Sequence, residues 1–137
     1  NWLTSYSQID AFMSFSDGVT FSAIEAIKNA GRQDEILVFS YDGEPAASQI
    51  VIDGEIVANL LTGAKRVGYW NIKVGAQLAY GEDIEQRVYL PTHFIIQEAT
   101  LNELIENGFV PSADFSWIEP EEAILLFDGF SEELGPQ

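Results

Sequence analysis

Four glycines set the phase of this chain: Gly31, Gly54, Gly81 and Gly108 each close a stretch of helical periodicity, and an apolar run precedes each stretch. Glycine reaches the left-handed backbone conformation that ends helices, so this repeated order marks boundaries better than composition does. Ala11 to Phe15 reads as a short strand ending at Ser16-Asp17-Gly18; the helix after it carries Val19, Ala23, Ile24, Ile27 and Ala30 on one face. Glu35 to Tyr41 is a second strand closed by Asp42-Gly43, and Pro45 suits the first turn of the helix that runs to Asp53. Ile56 to Leu61 is a third strand, separated by Thr62-Gly63-Ala64 from a helix over residues 65–80. The fourth, Val88 to Ile96, carries Pro91, which a central ladder position resists, so it is expected at a sheet edge or crossing between lobes. Thr100-Leu101-Asn102-Glu103 has capping-box spacing and is expected to open the helix that Gly108 closes.

Strands with little polar alternation, each followed by a helix, predict an α/β fold: a mostly parallel sheet covered on both faces, in three α/β/α layers. The stripe of Val67, Trp70, Val74 and Leu78, widened by Tyr69 and Ile72, predicts a helix over 65–80 that packs on more than one surface. Beyond Gly108 the pattern loosens. Phe109, Phe115, Trp117, Phe127 and Phe130 stand among acids, with a helix expected from Pro120 to Phe127. The chain is thus expected to divide into a lobe over residues 1–108 and an aromatic, acidic extension over 109–137 whose rings pack on something.

Charge narrows the function classes. Twenty-two acids against six bases give a net charge of −16, a field that repels phosphate backbones and anionic membrane surfaces, so no nucleic-acid partner is expected. With no cysteine there is no thiolate nucleophile, disulfide frame or Cys-based metal site. The chain begins at Asn1-Trp2-Leu3 without an initiating Met and is expected to be a segment of a longer protein.

In open α/β sheets ligands lie beyond the carboxyl ends of the strands. Those ends carry Phe15-Ser16-Asp17, Tyr41-Asp42-Gly43-Glu44 and Leu61-Thr62-Gly63. Hydroxyls, carboxylates and aromatic faces together suit a polyhydroxylated ligand, so Ser16, Asp42, Thr62, Phe15 and Tyr41 are the candidate binding residues. Ser16 and Asp17 are also good helix N-caps, and Asp42-Gly43 is a turn signal whatever its function. A catalytic reading finds little purchase. His93 is the only histidine and is expected as a satisfied strand residue, and nothing in the spacing demands an Asp17–Asp42 pair for metal or acid–base work. No Gly-x-Gly-x-x-Gly or Walker-type loop follows a strand. No enzyme activity, cofactor or metal is expected.

The ordered set Ile9-Asp10-Ala11-Phe12, Ser16-Asp17-Gly18, Ala23-Ile24-Glu25-Ala26-Ile27, Ala30-Gly31-Arg32, Val38 to Pro45, Ile52 to Asn59 and Leu90-Pro91-Thr92 resembles the second, carboxy-terminal lobe of type I periplasmic binding proteins of the ribose and galactose class, over roughly residues 1–99. That resemblance implies half of a two-lobe fold that captures a sugar or similar small polar ligand and delivers it to an ABC permease, in the periplasm or tethered at the cell surface. It implies Asp42 as the carboxylate that binds sugar hydroxyls. Ser16 stands where the family usually has Asn, and Thr62 where an amide or acid is common; Tyr41 replaces a usual Phe. It further implies that the helix over 65–80 packs on an amino-terminal lobe absent from this sequence. The effector-binding domain of a lac-repressor-type regulator shares the fold and is the alternative, although Asp42-Gly43 and the short Arg32-Gln33-Asp34-Glu35 approach fit it less well.

Overall fold

Residues 2–87, 89, 90 and 92–128 are described by a computed structural model. Along the chain run α1 (Trp2–Ser5), β1 (Ala11–Met13), α2 (Asp17–Asn29), β2 (Leu37–Asp42), α3 (Pro45–Ile52) and β3 (Ala58–Leu61). They are followed by α4 (Ala64–Ala79), β4 (His93–Ile95), α5 (Glu98–Glu106), β5 (Trp117–Ile118) and α6 (Pro120–Asp128). The strands lie side by side in chain order, β1 to β5. All neighbours are parallel except β3 and β4, where Leu61 pairs with His93 and Asn59 with Ile95. The mostly parallel sheet expected from the sequence is the sheet observed.

Alternation along β2 sorts the two faces. Val38 joins Ile24 and Ile27 of α2, Ala47 and Val51 of α3, and Ile36 and Ile56 in one core. Its neighbour Phe39 looks the other way, packing with Ala58, Ile96, Leu101 of α5 and Phe115. A third cluster joins Leu61, Ile95 and Ile118 to Ala123 of α6, which runs beside α3. Helices α2, α3 and α6 therefore cover one face and α5 the other.

The first three strands start or stop up to two residues from the sequence reading, at Met13, Leu37 and Ala58, and two further boundaries differ in a way that changes partners. The fourth strand starts at His93, later than Pro91, and it lies between β3 and β5 rather than at an edge. Val88 and Pro91 themselves lie outside the described residues. Helix α5 opens at Glu98, so Thr100 sits inside its first turn and the capping box is unused. Its cap comes from elsewhere: Glu119 accepts the Glu98 N–H at 3.0 Å, while the Gln97 side chain donates to the Ile52 carbonyl at 3.0 Å.

The described aromatics beyond Gly108, Phe109, Phe115 and Trp117, do pack. Phe115 stacks on Phe94 with centroids 5.1 Å apart and meets the edge of Phe109 at 5.6 Å. The Phe127 side chain and Phe130 lie outside the described residues. Helix α4 behaves differently from the others. Only Arg66 on it is buried, whereas Ile72 is 75% and Leu78 58% exposed, and Trp70 finds Tyr69 and the Lys73 ammonium of its own helix.

Candidate functional site

Because β1, β2 and β3 run parallel, their carboxyl ends open on one edge of the sheet. That edge gathers Phe15 and Ser16 after β1, Tyr41 and Asp42 at the end of β2, and Thr62 after β3. The reversed β4 adds His93, opposite Leu61. Phe15 is 80% exposed, and Ser16, Tyr41, Asp42 and Thr62 are partly buried.

The turn at Asp42 is strained. Asp42 is the only non-glycine with positive φ among the described residues, at 124°, a conformation that costs of order 1–3 kcal/mol and persists only where the surroundings over-determine it. Its carbonyl accepts the N–H groups of Thr62 and Gly63 at 3.2 and 3.3 Å, and the Thr62 hydroxyl reaches the same oxygen at 3.4 Å. Gly43 follows with φ 81°. There the chain presses so closely on β3 that a Cβ would lie 2.6 Å from Leu61 Cδ1. Through all this the Asp42 carboxylate makes no hydrogen bond to a described residue. The Ser16 hydroxyl is likewise uncommitted: Ser16 occupies the N-cap of α2 without a side-chain cap bond, and its carbonyl does the hydrogen bonding. A free acceptor and a free hydroxyl thus stand at neighbouring strand ends.

Asp17 has a role that sequence reasoning missed. It neither caps α2 nor faces the edge beside Asp42; it is 0% exposed and points inward. One carboxylate oxygen accepts the Ser40 hydroxyl and, at 2.8 Å, the Asn59 amide; the other accepts the Glu44 N–H at 2.8 Å. Ser40 continues to Thr20 at 2.7 Å, and Thr20 to Ser14, a buried hydroxyl chain beneath the loops. The signal was present in the sequence. Ser40 and Asn59 are polar residues inside otherwise apolar strands, and polar groups at such positions require partners.

Arg66, at the start of α4, is 8% exposed and donates to the Thr62 carbonyl at 2.9 Å. Burial lowers its pKa from the usual guanidinium value. His93 is also held below the ordinary imidazole value, first by burial and second by the Arg66 charge, against an opposing pull from Glu122. The histidine lies in a strand as expected, and its buried Nδ1 has no hydrogen-bond partner among the described residues. Among the described residues no group of three His, Asp or Glu side chains is arranged to hold a metal.

A hollow of about 520 Å³, lined by Phe39, Phe94, Ile96, Leu101 and Phe115, opens on the α5 face of the sheet, and another of about 410 Å³ lies beside β1 against Trp2, Phe12 and Ile27; neither includes any of the five candidate residues.

The fold recurs in known proteins. Residues 1–83 match the model of the periplasmic binding protein domain. A putative rhizopine-binding protein of Rhizobium meliloti is 29% identical over 104 residues, which are 75% of this chain and 33% of that protein. The ribose import binding protein of Salmonella typhimurium is 24% identical over 98 residues, 72% of this chain and 33% of that one. The chain therefore spans about a third of the length of these relatives. Among solved structures, an ABC transporter solute-binding protein from Bacillus halodurans with bound myo-inositol superposes with a TM-score of 0.65 at 30% identity, covering 77% of this chain and 37% of that one. A periplasmic solute-binding protein from Actinobacillus succinogenes with bound D-allose gives the same TM-score of 0.65 at 24% identity, over 73% of this chain and 35% of that one. With a match across residues 1–83, more than half its length, and the fold to go with it, this chain belongs to the periplasmic binding protein domain family.

Proposed function

We propose that the chain is the carboxy-terminal lobe of a solute-binding protein that captures a sugar or similar small polyol between two lobes and presents it to an ABC permease. The uncommitted Asp42 carboxylate beside the uncommitted Ser16 hydroxyl carries the reading, because two such groups on one strand edge match the donors and acceptors of a polyhydroxylated ligand. Thr62 supplies a third polar contact, and Phe15 and Tyr41 offer rings against the ligand's C–H faces. The relatives support the same class: one is named for ribose import, and the solved structures hold D-allose and myo-inositol.

The second wall comes from a partner lobe. Helix α4, with Ile72 and Leu78 exposed, is the element that packs on it, and closure of the two lobes removes water from the ligand. The protein works in the periplasm or tethered at the cell surface, and it binds its ligand without chemistry, as suits a binding-protein family.

A thermal-unfolding screen of the full-length parent protein with D-ribose, D-allose and myo-inositol tests this. A ligand at a hundred times its dissociation constant adds about 2.7 kcal/mol of stability. A rise in Tm with one compound, lost in Asp42→Ala, is the expected result. No rise with any of the three, from a protein that melts cooperatively, would sink the sugar reading.

A further inference from the structure

The Asp42 turn is gripped from two sides. From β3, the Thr62 and Gly63 N–H groups hold the Asp42 carbonyl. From α2, a single side chain does the work: Asp17, 27 positions away from Glu44, accepts the Glu44 N–H just past the strained residue and its glycine. The first grip is backbone to backbone and would survive most substitutions. The second depends on one carboxylate, whose other oxygen is held at 2.8 Å by the Asn59 amide of β3, with the Ser40 hydroxyl of β2 as an additional donor.

Asp17 is also the residue directly after Ser16, so the loop bearing the free hydroxyl and the turn bearing the free carboxylate are tied together through it. We propose that Asp17 is a positioning residue: it fixes the Asp42 turn against the Ser16 loop and so sets ligand affinity without touching the ligand. The proposal deepens the sugar-binding reading and rests on it, but the clamp itself has a signature in the ligand-free protein. Loss of Asp17 should free the Glu44 amide, whereas loss of Ser40 removes an Asp17 partner on the strand side and leaves the Glu44 bond intact.

The experiment compares Asp17→Ala and Ser40→Ala with the parent sequence in the full-length protein. Amide hydrogen exchange is read at Gly43 and Glu44, and calorimetric affinity is measured for D-ribose, D-allose and myo-inositol below the melting range of every variant. Asp17→Ala should speed Glu44 exchange at least tenfold and weaken binding at least tenfold, while Ser40→Ala changes affinity less than threefold despite its own loss of stability. Should Asp17→Ala fail to fold, Asp17→Asn keeps the volume with one acceptor oxygen in place of two, and the same readouts apply. Unchanged Glu44 exchange, or folded Asp17 variants that bind as tightly as the parent, would overturn the clamp. An equal affinity loss in Ser40→Ala would do so too, since it would mean that core stability alone is being read. If none of the three compounds binds the parent but Glu44 is still freed, the clamp stands and the sugar reading fails; if the parent binds and the Asp17 variants match it, the reverse holds.

Discussion

Gly43 lies against Leu61 with no room for another atom: a Cβ there would sit 2.9 Å from the Leu61 α-carbon and closer still to its side chain. The contact brings the end of β2 onto β3 beside the strained turn at Asp42. Gly43→Ala meets this clash and a φ of 81°, which together should cost about 2–4 kcal/mol. Urea denaturation measures it, and a loss below about 0.5 kcal/mol, the scale of neutral surface changes, would mean that the two strands are not so closely apposed.

Asp42→Gly should act in the opposite sense on the fold. Glycine takes a φ of 124° freely, and relief of the strain outweighs the added unfolded-state entropy by about 1 kcal/mol. Binding of the sugar should fall in the same variant, because the carboxylate is gone. A higher denaturation midpoint with lost affinity is the expected pair; a lower midpoint would show the turn to be unstrained.

His93 gives a pH signature. Its pKa is depressed in the folded chain, so the unfolded chain binds the proton more readily. The stability tied to the neutral imidazole is whole above its ordinary value of 6.5 and is lost as pH falls below it. His93→Leu removes this dependence, so the stability of the parent relative to the variant should decline between about pH 7.5 and about pH 5.5. Taking the difference cancels the relief of acid–acid repulsion that both proteins share. A constant difference across that window would refute the depressed pKa.

Glu119 reaches back to the amino end of α5 to accept the Glu98 N–H. Removing it in Glu119→Ala should cost about 0.5–1.5 kcal/mol, the worth of a helix cap at a partly solvated site. Thr100→Ala, which removes the hydroxyl of the unused capping box, should cost less than half as much. Equal losses in thermal melts would restore Thr100 as the cap.

What could be read from residue order was mainly local. Gly31, Gly54, Gly81 and Gly108 all have positive φ at helix ends, as their positions suggested, and the strand ends carrying Ser16, Asp42 and Thr62 fall on one edge because parallel topology forces it. The misreadings concern partners distant in sequence. Asp17 looked like a cap because only its neighbours were visible; its actual partners, Ser40 and Asn59, are 23 and 42 positions away. The same holds for α5, whose capping group arrives from Glu119, 21 positions downstream. Pro91 argued against a central strand, but a strand that begins only at His93 has no quarrel with it.

The pairing of Leu61 with His93 has a consequence for how such a chain tolerates change. The chain leaves the sheet at the first of these residues and re-enters it at the second, and the two α-carbons across an antiparallel pair stand only about 5 Å apart. A short linker could bridge that gap. Apart from Thr62 and Gly63, which hold the Asp42 turn, the stretch that carries α4 is a detour between strand ends that already meet, so insertions or an engineered deletion within α4 should leave the remaining strands in register. One residue added between Asp42 and Glu44 has no such freedom, since it would dislodge every contact that holds the turn.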